Sequence, residues 1–246
     1  MKTPQSITET IFMKKAALMV QSVLAAPDGR RIGQITGEPG TGKSFCTKYL
    51  REQYGTDAAR ICCWNKIAVN GMLIQIGRAL GLSIKDSTAG DYVVNLLRDR
   101  IRGKLILVDE ATHLRWQHLE HLRHFADECD AGIILVGTPL FSKYMTATDA
   151  QIYLSQLVSR IGAKRVEFGK LSGKETVAAI VTPAFGPVET DVAKAFVKQC
   201  DGNWRMGHEL VDACRRIMEA NGRTALDLEV IAAAAAEWGV AAHGGR

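Results

Sequence analysis

The stretch Gly37-Glu38-Pro39-Gly40-Thr41-Gly42-Lys43-Ser44 matches in full the glycine-rich phosphate cradle written G-x-x-x-x-G-K-[ST]. Its flanks supply the context that the pattern requires. Arg31-Ile32-Gly33-Gln34-Ile35-Thr36 reads as a buried strand running in, and Ser44-Phe45-Cys46-Thr47-Lys48-Tyr49-Leu50 as a helix running out. Glycines at 37, 40 and 42 open backbone conformations closed to other residues and let successive N–H groups approach phosphate oxygens, while the helix that follows presents its positive end. In such a loop Lys43 reaches the β- and γ-phosphates and the Ser44 hydroxyl holds Mg²⁺. The competing reading is an ordinary glycine-rich turn. Agreement of every fixed position and both flanks argues against it.

A second landmark is Lys104-Leu105-Ile106-Leu107-Val108-Asp109-Glu110-Ala111, an unbroken apolar strand that stops in two adjacent carboxylates. At the C-terminal end of a strand they face a nucleotide bound at the same sheet edge. Asp109 suits the anchoring of Mg²⁺ with Ser44, and Glu110 the orientation and deprotonation of an attacking water. A third strand, Gly132-Ile133-Ile134-Leu135-Val136-Gly137-Thr138-Pro139, ends in a hydroxyl. Thr138 either contacts the γ-phosphate or the attacking water, or simply opens the turn at Pro139.

The whole chain bounds these motifs. Its 246 residues suffice for one α/β domain with a small appendage, and 47% hydrophobic content supports a sizeable core. The apolar run Val230-Ile231-Ala232 to Ala236 falls short of the roughly 18 residues of a membrane span, and the start Met1-Lys2-Thr3-Pro4-Gln5-Ser6 lacks the organisation of a secretory signal, so a cytoplasmic location is expected. Six scattered cysteines, without a C-x-x-C pair, indicate neither a zinc cluster nor a disulfide framework and are expected reduced and mostly buried. A net charge of +5 tolerates a nucleic-acid partner without demonstrating one.

In chain order, residues 7–26 read as a helix with an apolar face of Ile11, Ala17, Leu18, Val20, Val23 and Leu24, ended by Pro27-Asp28-Gly29. Arg60-Ile61-Cys62-Cys63-Trp64 reads as the second strand, residues 69–82 as a helix, and a further helix starts at Asp91 and ends in Arg98, Arg100, Arg102 and Lys104. Those four cations are either a solvated helix end or phosphate-backbone contacts. The helix after the Asp-Glu strand is expected to hold His113, His118, His121 and His124 on a broad solvated or DNA-facing surface, the spacing matching no familiar zinc motif. Residues 154–161 read as a helix ending near Arg160, followed by a short strand over 164–168. Beyond Leu171 only helices are expected, over 173–181, 188–200, 204–220 and 226–238, with turns at Pro183, Gly186-Pro187, Asp201-Gly202-Asn203 and Asn221-Gly222. The expected organisation is an N-terminal helical segment (1–28), an α/β core (29–170) and a helical C-terminal domain (171–246).

Taken together, the phosphate loop, the Val108-Asp109-Glu110 strand, the Val136-Gly137-Thr138-Pro139 strand, Ser159-Arg160-Ile161 and Gly202-Asn203-Trp204-Arg205 resemble the AAA+ ATPase plan over roughly residues 30–220. Within it, the phosphate loop, Val108 to Leu114 and the span through Ile161 look most like the MuB and TnsC transposition ATPases. The resemblance implies an α/β P-loop fold, a mostly parallel five-stranded sheet flanked by helices and followed by an all-helical lid. It implies ATP and Mg²⁺ as ligands, held by Gly37 to Ser44 and Asp109, with Glu110 as catalytic base and Thr138 as first sensor. It makes Arg160 a finger reaching the next subunit's site and Arg205 the second sensor, and Asn65 a restraint on Glu110. Such proteins assemble with ATP on duplex DNA, as ring or filament, and recruit a transposase in the bacterial cytoplasm.

One departure matters: MuB-like proteins carry an N-terminal DNA-binding domain, and only about 30 residues precede the first strand here. DNA contacts are therefore expected from the ATPase body, with Lys66, Arg78, Lys85, Arg98, Arg100 and Arg102 as candidates. Two alternatives stand beside this reading: a loader or secretion-type ATPase that remodels a protein partner, and a P-loop kinase acting on a small molecule. The arginine pair and the all-helical C-terminal segment argue against the kinase.

Overall fold

The computed structural model describes residues 8–27 and 29–243; expectations for Ile7, the residues before it and Asp28 lie outside them. The described residues fall into two units. The larger holds Phe12–Pro39 and Lys43–Phe168; the other holds Gly40–Gly42 and the chain from Gly169 onward, with the described residues up to Ile11.

The larger unit is α/β. After α1 (Ile11–Ala25) come β1 (Ile32–Gly37), α2 (Lys43–Tyr54), β2 (Ala58–Cys62), α3 (Val69–Ala79), α4 (Gly90–Arg100) and β3 (Leu105–Asp109). Then follow α5 (Trp116–Glu128), β4 (Gly132–Gly137), α6 (Pro139–Thr146), α7 (Thr148–Ile161) and β5 (Arg165–Phe168). The five strands are all parallel, in the order β2-β3-β4-β1-β5. Parallel strands covered on both faces read as continuous apolar runs, and β3 and β4 are buried at every residue. The edge strand β5 alternates exposed and buried.

Period-two alternation divides the sheet between two apolar clusters. Ile106, Val108, Ile133 and Leu135 face the cluster packed by α3, α4, α5 and α7, and Leu105, Leu107, Ile134 and Val136 face the one packed by α1 and α2. Burying each such side chain stabilises by about 1.5–3 kcal/mol. Asp109, two residues beyond Leu107, therefore emerges on the α2 side.

Several boundaries depart from the sequence expectations. The second strand runs over Ala58–Cys62, not from Arg60 to Trp64, because the small Ala58 and Ala59 are buried in register against Leu105 and Ile106 while Trp64 is 55% exposed. Asn65 consequently lies in a turn beyond the strand end, beside Lys66, whose φ is 64°. Helix α1 buries Met13, Ala16, Met19, Val20 and Val23, so its inward face is rotated from the expected one; Ile11 and Leu18 are exposed. Helix α6 was not anticipated, and α7 begins six residues earlier than Leu154.

The other unit is helical from Gly173 on: α8 (Gly173–Thr176), a wider π-type turn (Val177–Val181), α9 (Thr182–Phe185), α10 (Thr190–Cys200), α11 (Trp204–Ala220) and α12 (Leu228–His243). Pro183 marks no turn. The helix passes through it to Phe185, the Thr182 N–H donating to the Val177 carbonyl five residues back. A proline lacks the N–H for the carbonyl four residues earlier and crowds it, and one widened turn absorbs the mismatch without breaking the helix.

Candidate functional site

Because the strands are parallel, β1, β3 and β4 deliver their C-terminal ends to one sheet edge, bringing the start of the phosphate loop, the Asp109-Glu110 pair and Thr138 to that edge. Asp109 is 3% exposed and its Oδ1 accepts the Glu110 N–H at 3.0 Å. Glu110 itself takes the left-handed conformation, φ 55° and ψ 38°, which costs a non-glycine residue about 1–2 kcal/mol. A strained backbone at a partly exposed carboxylate is the kind of outlier that accompanies functional sites. Thr138 stands at the entrance to α6 without capping it; its N–H donates to Thr112 Oγ1 at 3.0 Å, and the two hydroxyls lie 3.4 Å apart.

The Asp109 carboxylate is also held by two residues that motif reading passed over. Arg60 Nη2 lies 2.5 Å from Asp109 Oδ2, and Arg60 Nε donates to Thr47 Oγ1 at 2.7 Å. Thr47, fully buried on α2, in turn donates to the Ser44 carbonyl at 2.9 Å. The signal was present in the sequence: an arginine inside the otherwise apolar Ala58-Ala59-Arg60-Ile61, two residues before Cys62, which pairs with Asp109. Period two puts Arg60 on the face that carries α2.

In the larger unit, Lys43 opens α2 and its Nζ donates to the carbonyls of Gly37 at 2.7 Å and Glu38 at 2.8 Å, while Glu38, Pro39 and Ser44 are solvent-accessible. Gly40 and Gly42 have φ of 81° and 92°, values that side-chain-bearing residues rarely adopt. Gly40–Gly42 belong to the helical unit, where the Arg205 N–H donates to the Gly40 carbonyl at 3.0 Å. Thr41 there is 6% exposed. Asn203 caps the same helix, its Oδ1 accepting the Met206 N–H at 3.1 Å, and Arg205 is exposed in the first turn. The Ser44 hydroxyl and the Asp109 carboxylate are hard oxygen donors, and the lysine stands among the loop carbonyls, so the residue set fits a magnesium-bound nucleotide.

Arg160 lies near the end of α7, where its Nε donates to Asp127 Oδ1 at 2.7 Å. Asp127 also takes Arg123 Nη1 at 2.5 Å, and Arg123 pairs with Glu120 at 3.0 Å. The hydrogen bond to Glu120 leads in raising the Arg123 pKa further. Arg160 is thus one member of a surface ion network on α5 and α7.

The candidate DNA-contacting cations separate into two groups. Arg78 donates to the Ile84 carbonyl and pairs with Asp86 at 2.9 Å; Arg98 meets His124 Nε2 at 3.4 Å; Arg102 pairs with Asp130 at 3.4 Å. Lys66, Lys85 and Arg100 are exposed and have no ion-pair partner among the described residues.

The histidine series does not form one surface. His113 lies in a separate short turn, Ala111–His113, and His118 is 5% exposed, its Nδ1 accepting the Arg115 N–H at 3.3 Å and its Nε2 donating to the Ile67 carbonyl at 2.9 Å. This corrects the solvated reading for His118, which ties the start of α5 to the loop after β2. Burial, with His124 next, lowers the His121 pKa. No group of three or more His, Cys, Asp or Glu residues arranged for a metal occurs among the described residues. Five cysteines are buried and Cys62 is exposed; burial pushes the Cys63 thiol up to about 12. No described helix is long and apolar enough to cross a membrane.

Comparison with known proteins adds to this geometry. Residues 26–145 match the AAA domain family. The chain is 32% identical over 136 residues to a potential ATP-binding protein of Staphylococcus aureus, a span covering 52% of this chain and 48% of that one. It is 28% identical over 151 residues to the ATP-dependent target DNA activator B of Escherichia phage Mu, covering 61% and 47%. It therefore spans about half the length of the curated relatives it matches. The Aeropyrum pernix ORC2 structure superposes with a TM-score of 0.70 over 96% of this chain and 69% of that one at 16% identity, a likeness of fold.

Proposed function

We propose, from the premise that this chain is a MuB-like P-loop AAA+ protein, that it hydrolyses ATP and uses the cycle to assemble on duplex DNA and mark it for a transposase. The observation that carries the reading is the sheet edge where the phosphate-loop lysine and the Asp109-Glu110 pair are set by parallel strands, in a chain similar to a target DNA activator of phage Mu. The proposed domains are an N-terminal helical segment (1–28), an ATPase core (29–170) and a helical lid (171–246), acting in the bacterial cytoplasm.

In this reading Lys43 leaves the Gly37 and Glu38 carbonyls for the β- and γ-phosphates, and the backbone of Gly37 to Gly42 supplies further donors. Ser44 and Asp109 would hold Mg²⁺, which would supply neutralisation of phosphate charge. Glu110 takes the proton of the attacking water, and Thr138 orients that water or the γ-phosphate. Arg160 exchanges Asp127 for the next subunit's nucleotide, and Arg205 is the second sensor. An arginine supplied in trans is worth roughly 10³–10⁵ in rate, so assembly switches hydrolysis on. DNA contacts come from Lys66, Arg78, Lys85, Arg98, Arg100 and Arg102, repeated along the assembly, indifferent to sequence and steeply dependent on salt.

Electron microscopy of the purified chain on linear duplex DNA tests this, with an ATP analogue, with ADP, and with Arg160→Ala in the analogue. Rings or filaments on DNA only in the first sample are expected. Absence of DNA-dependent assembly, together with ATP turnover that responds to a protein partner alone, would replace the transposition reading by the protein-remodelling one.

A further inference from the structure

Arg60 is a charged residue at the site to which no step above assigns work. Its guanidinium makes two directed contacts, 2.5 Å to Asp109 Oδ2 and 2.7 Å to Thr47 Oγ1, and its side chain is 21% exposed against 4% for Asp109. Thr47 Oγ1 lies 3.5 Å from Asp109 Oδ2, and Asp109 Oδ1 accepts the Glu110 N–H. Both carboxylate oxygens are therefore engaged, and the charge that would attract a divalent cation is matched by a guanidinium in contact with it.

We propose that Arg60 is a positioning residue that sets the magnesium requirement of the site: it holds the Asp109 carboxylate when no cation is bound and gives up Oδ2 contact, in whole or part, as Mg²⁺ arrives. The proposal rests on the reading of Asp109 as a magnesium anchor. A guanidinium beside the carboxylate opposes a second positive charge through the same Coulomb interaction by which it binds, so the cation has to displace or outweigh it. The route is open, since Arg60 retains a solvent-facing side and sits two residues from the exposed Cys62 at the end of β2. Thr47 ties the same guanidinium to the phosphate-loop helix, its hydroxyl accepting from Arg60 and donating to the Ser44 carbonyl one turn back. Were Asp109 no cation anchor, the ion pair would be structural alone, and removing it would leave the magnesium midpoint where it was.

The test is uptake of a fluorescent ATP analogue by the full chain, titrated with MgCl₂, alongside direct counting of bound Mn²⁺ by electron paramagnetic resonance. The samples are the wild-type chain, Arg60→Gln, Arg60→Lys and Lys43→Ala. Arg60→Gln removes the charge and is expected to lower the half-saturating Mg²⁺ concentration about tenfold, the order expected for loss of one neighbouring unit charge. Arg60→Lys keeps the charge but not the two-pronged grip on Thr47 and Asp109, and is expected to lower it less. If Arg60→Gln does not fold, the midpoint of Arg60→Lys decides. A wild-type chain that takes up the analogue, loses uptake in Lys43→Ala, and shares its Mg²⁺ midpoint with the folded Arg60 variants overturns the role of Arg60 alone. A wild-type chain that takes up no nucleotide at any Mg²⁺ concentration overturns the nucleotide reading, and this inference with it.

Discussion

Asp109, Glu110 and Thr138 stand where β3 and β4 run out, whereas Arg78, Arg98, Arg100 and Arg102 project from the surface at or near the ends of α3 and α4. The first set is placed by backbone: register fixes which strand ends meet, and burial of Leu105 to Val108 leaves Asp109 one position to occupy. The second set is placed by side-chain partners. Arg78 is spent on the Ile84 carbonyl and Asp86, Arg102 on Asp130, and Arg100 lacks an ion-pair partner among the described residues. Chemistry built into strand ends is thus specified locally, while chemistry on helix surfaces depends on what each side chain has already engaged.

Arg160 belongs to the surface set by position and to the site by its proposed role, so it gives the sharpest break in the comparison. Arg160→Ala removes a part-buried ion pair with Asp127, but Asp127 keeps Arg123 as its partner, so the loss of stability in thermal denaturation should stay at about 1 kcal/mol. Assembled turnover should nonetheless fall by roughly 10³-fold. Equal turnover in mutant and wild-type assemblies would return Arg160 to the α5–α7 network as a structural member.

Glu110→Gln is expected to come next, lowering turnover by about 10²–10⁴-fold while nucleotide uptake persists. Single-turnover hydrolysis and analogue binding measured together check it; a loss of binding equal to the loss of turnover would make Glu110 a scaffold of the strained turn and not a base.

Among the surface cations, removing Lys66, Lys85 and Arg100 together is expected to reduce the salt slope of DNA binding by about 3, since each of their charges is available for phosphate. Removing Arg78, Arg98 and Arg102 should reduce it by less, because two of them are already neutralised by Asp86 and Asp130. Filter binding across a salt series distinguishes the two triples, and equal slopes would erase the division between engaged and available cations.

The same contrast explains how much was legible. The phosphate loop, the β3 carboxylates and Thr138 could be read because each is a polar residue at the boundary of an apolar run, and a parallel sheet has one edge to which such boundaries go. Arg60 could have been read, since an arginine in an apolar strand demands an anion on its own face, but nothing local says which anion. Sequence alone places the Ala58–Cys62 strand two residues late, because alanine carries little strand signal and Trp64 carries much, whereas burial selects the alanines. Pro183 looks like a break because a helix interior normally rejects it; the widened turn before it is a property of the packed helix and leaves no mark in the residue types.

His118 looks like a surface residue for a related reason: three histidines one turn apart are equivalent in sequence, and tertiary context separates them. His118→Ala is expected to act on stability alone. It leaves the Ile67 carbonyl and the Arg115 N–H without their partner in a site that is 5% exposed, a loss of about 1–3 kcal/mol. His121→Ala, on the half-buried side of the same helix, should cost less, because no comparable pair of backbone groups depends on it among the described residues. Chemical denaturation of both variants checks the order, and His118→Asn, which keeps one donor and one acceptor, should recover part of the loss. If the His118 variant were as stable as the wild type, the tie between α5 and the loop after β2 would carry no free energy. That loop, with Asn65 and Lys66, would then have to be positioned by the strand end alone.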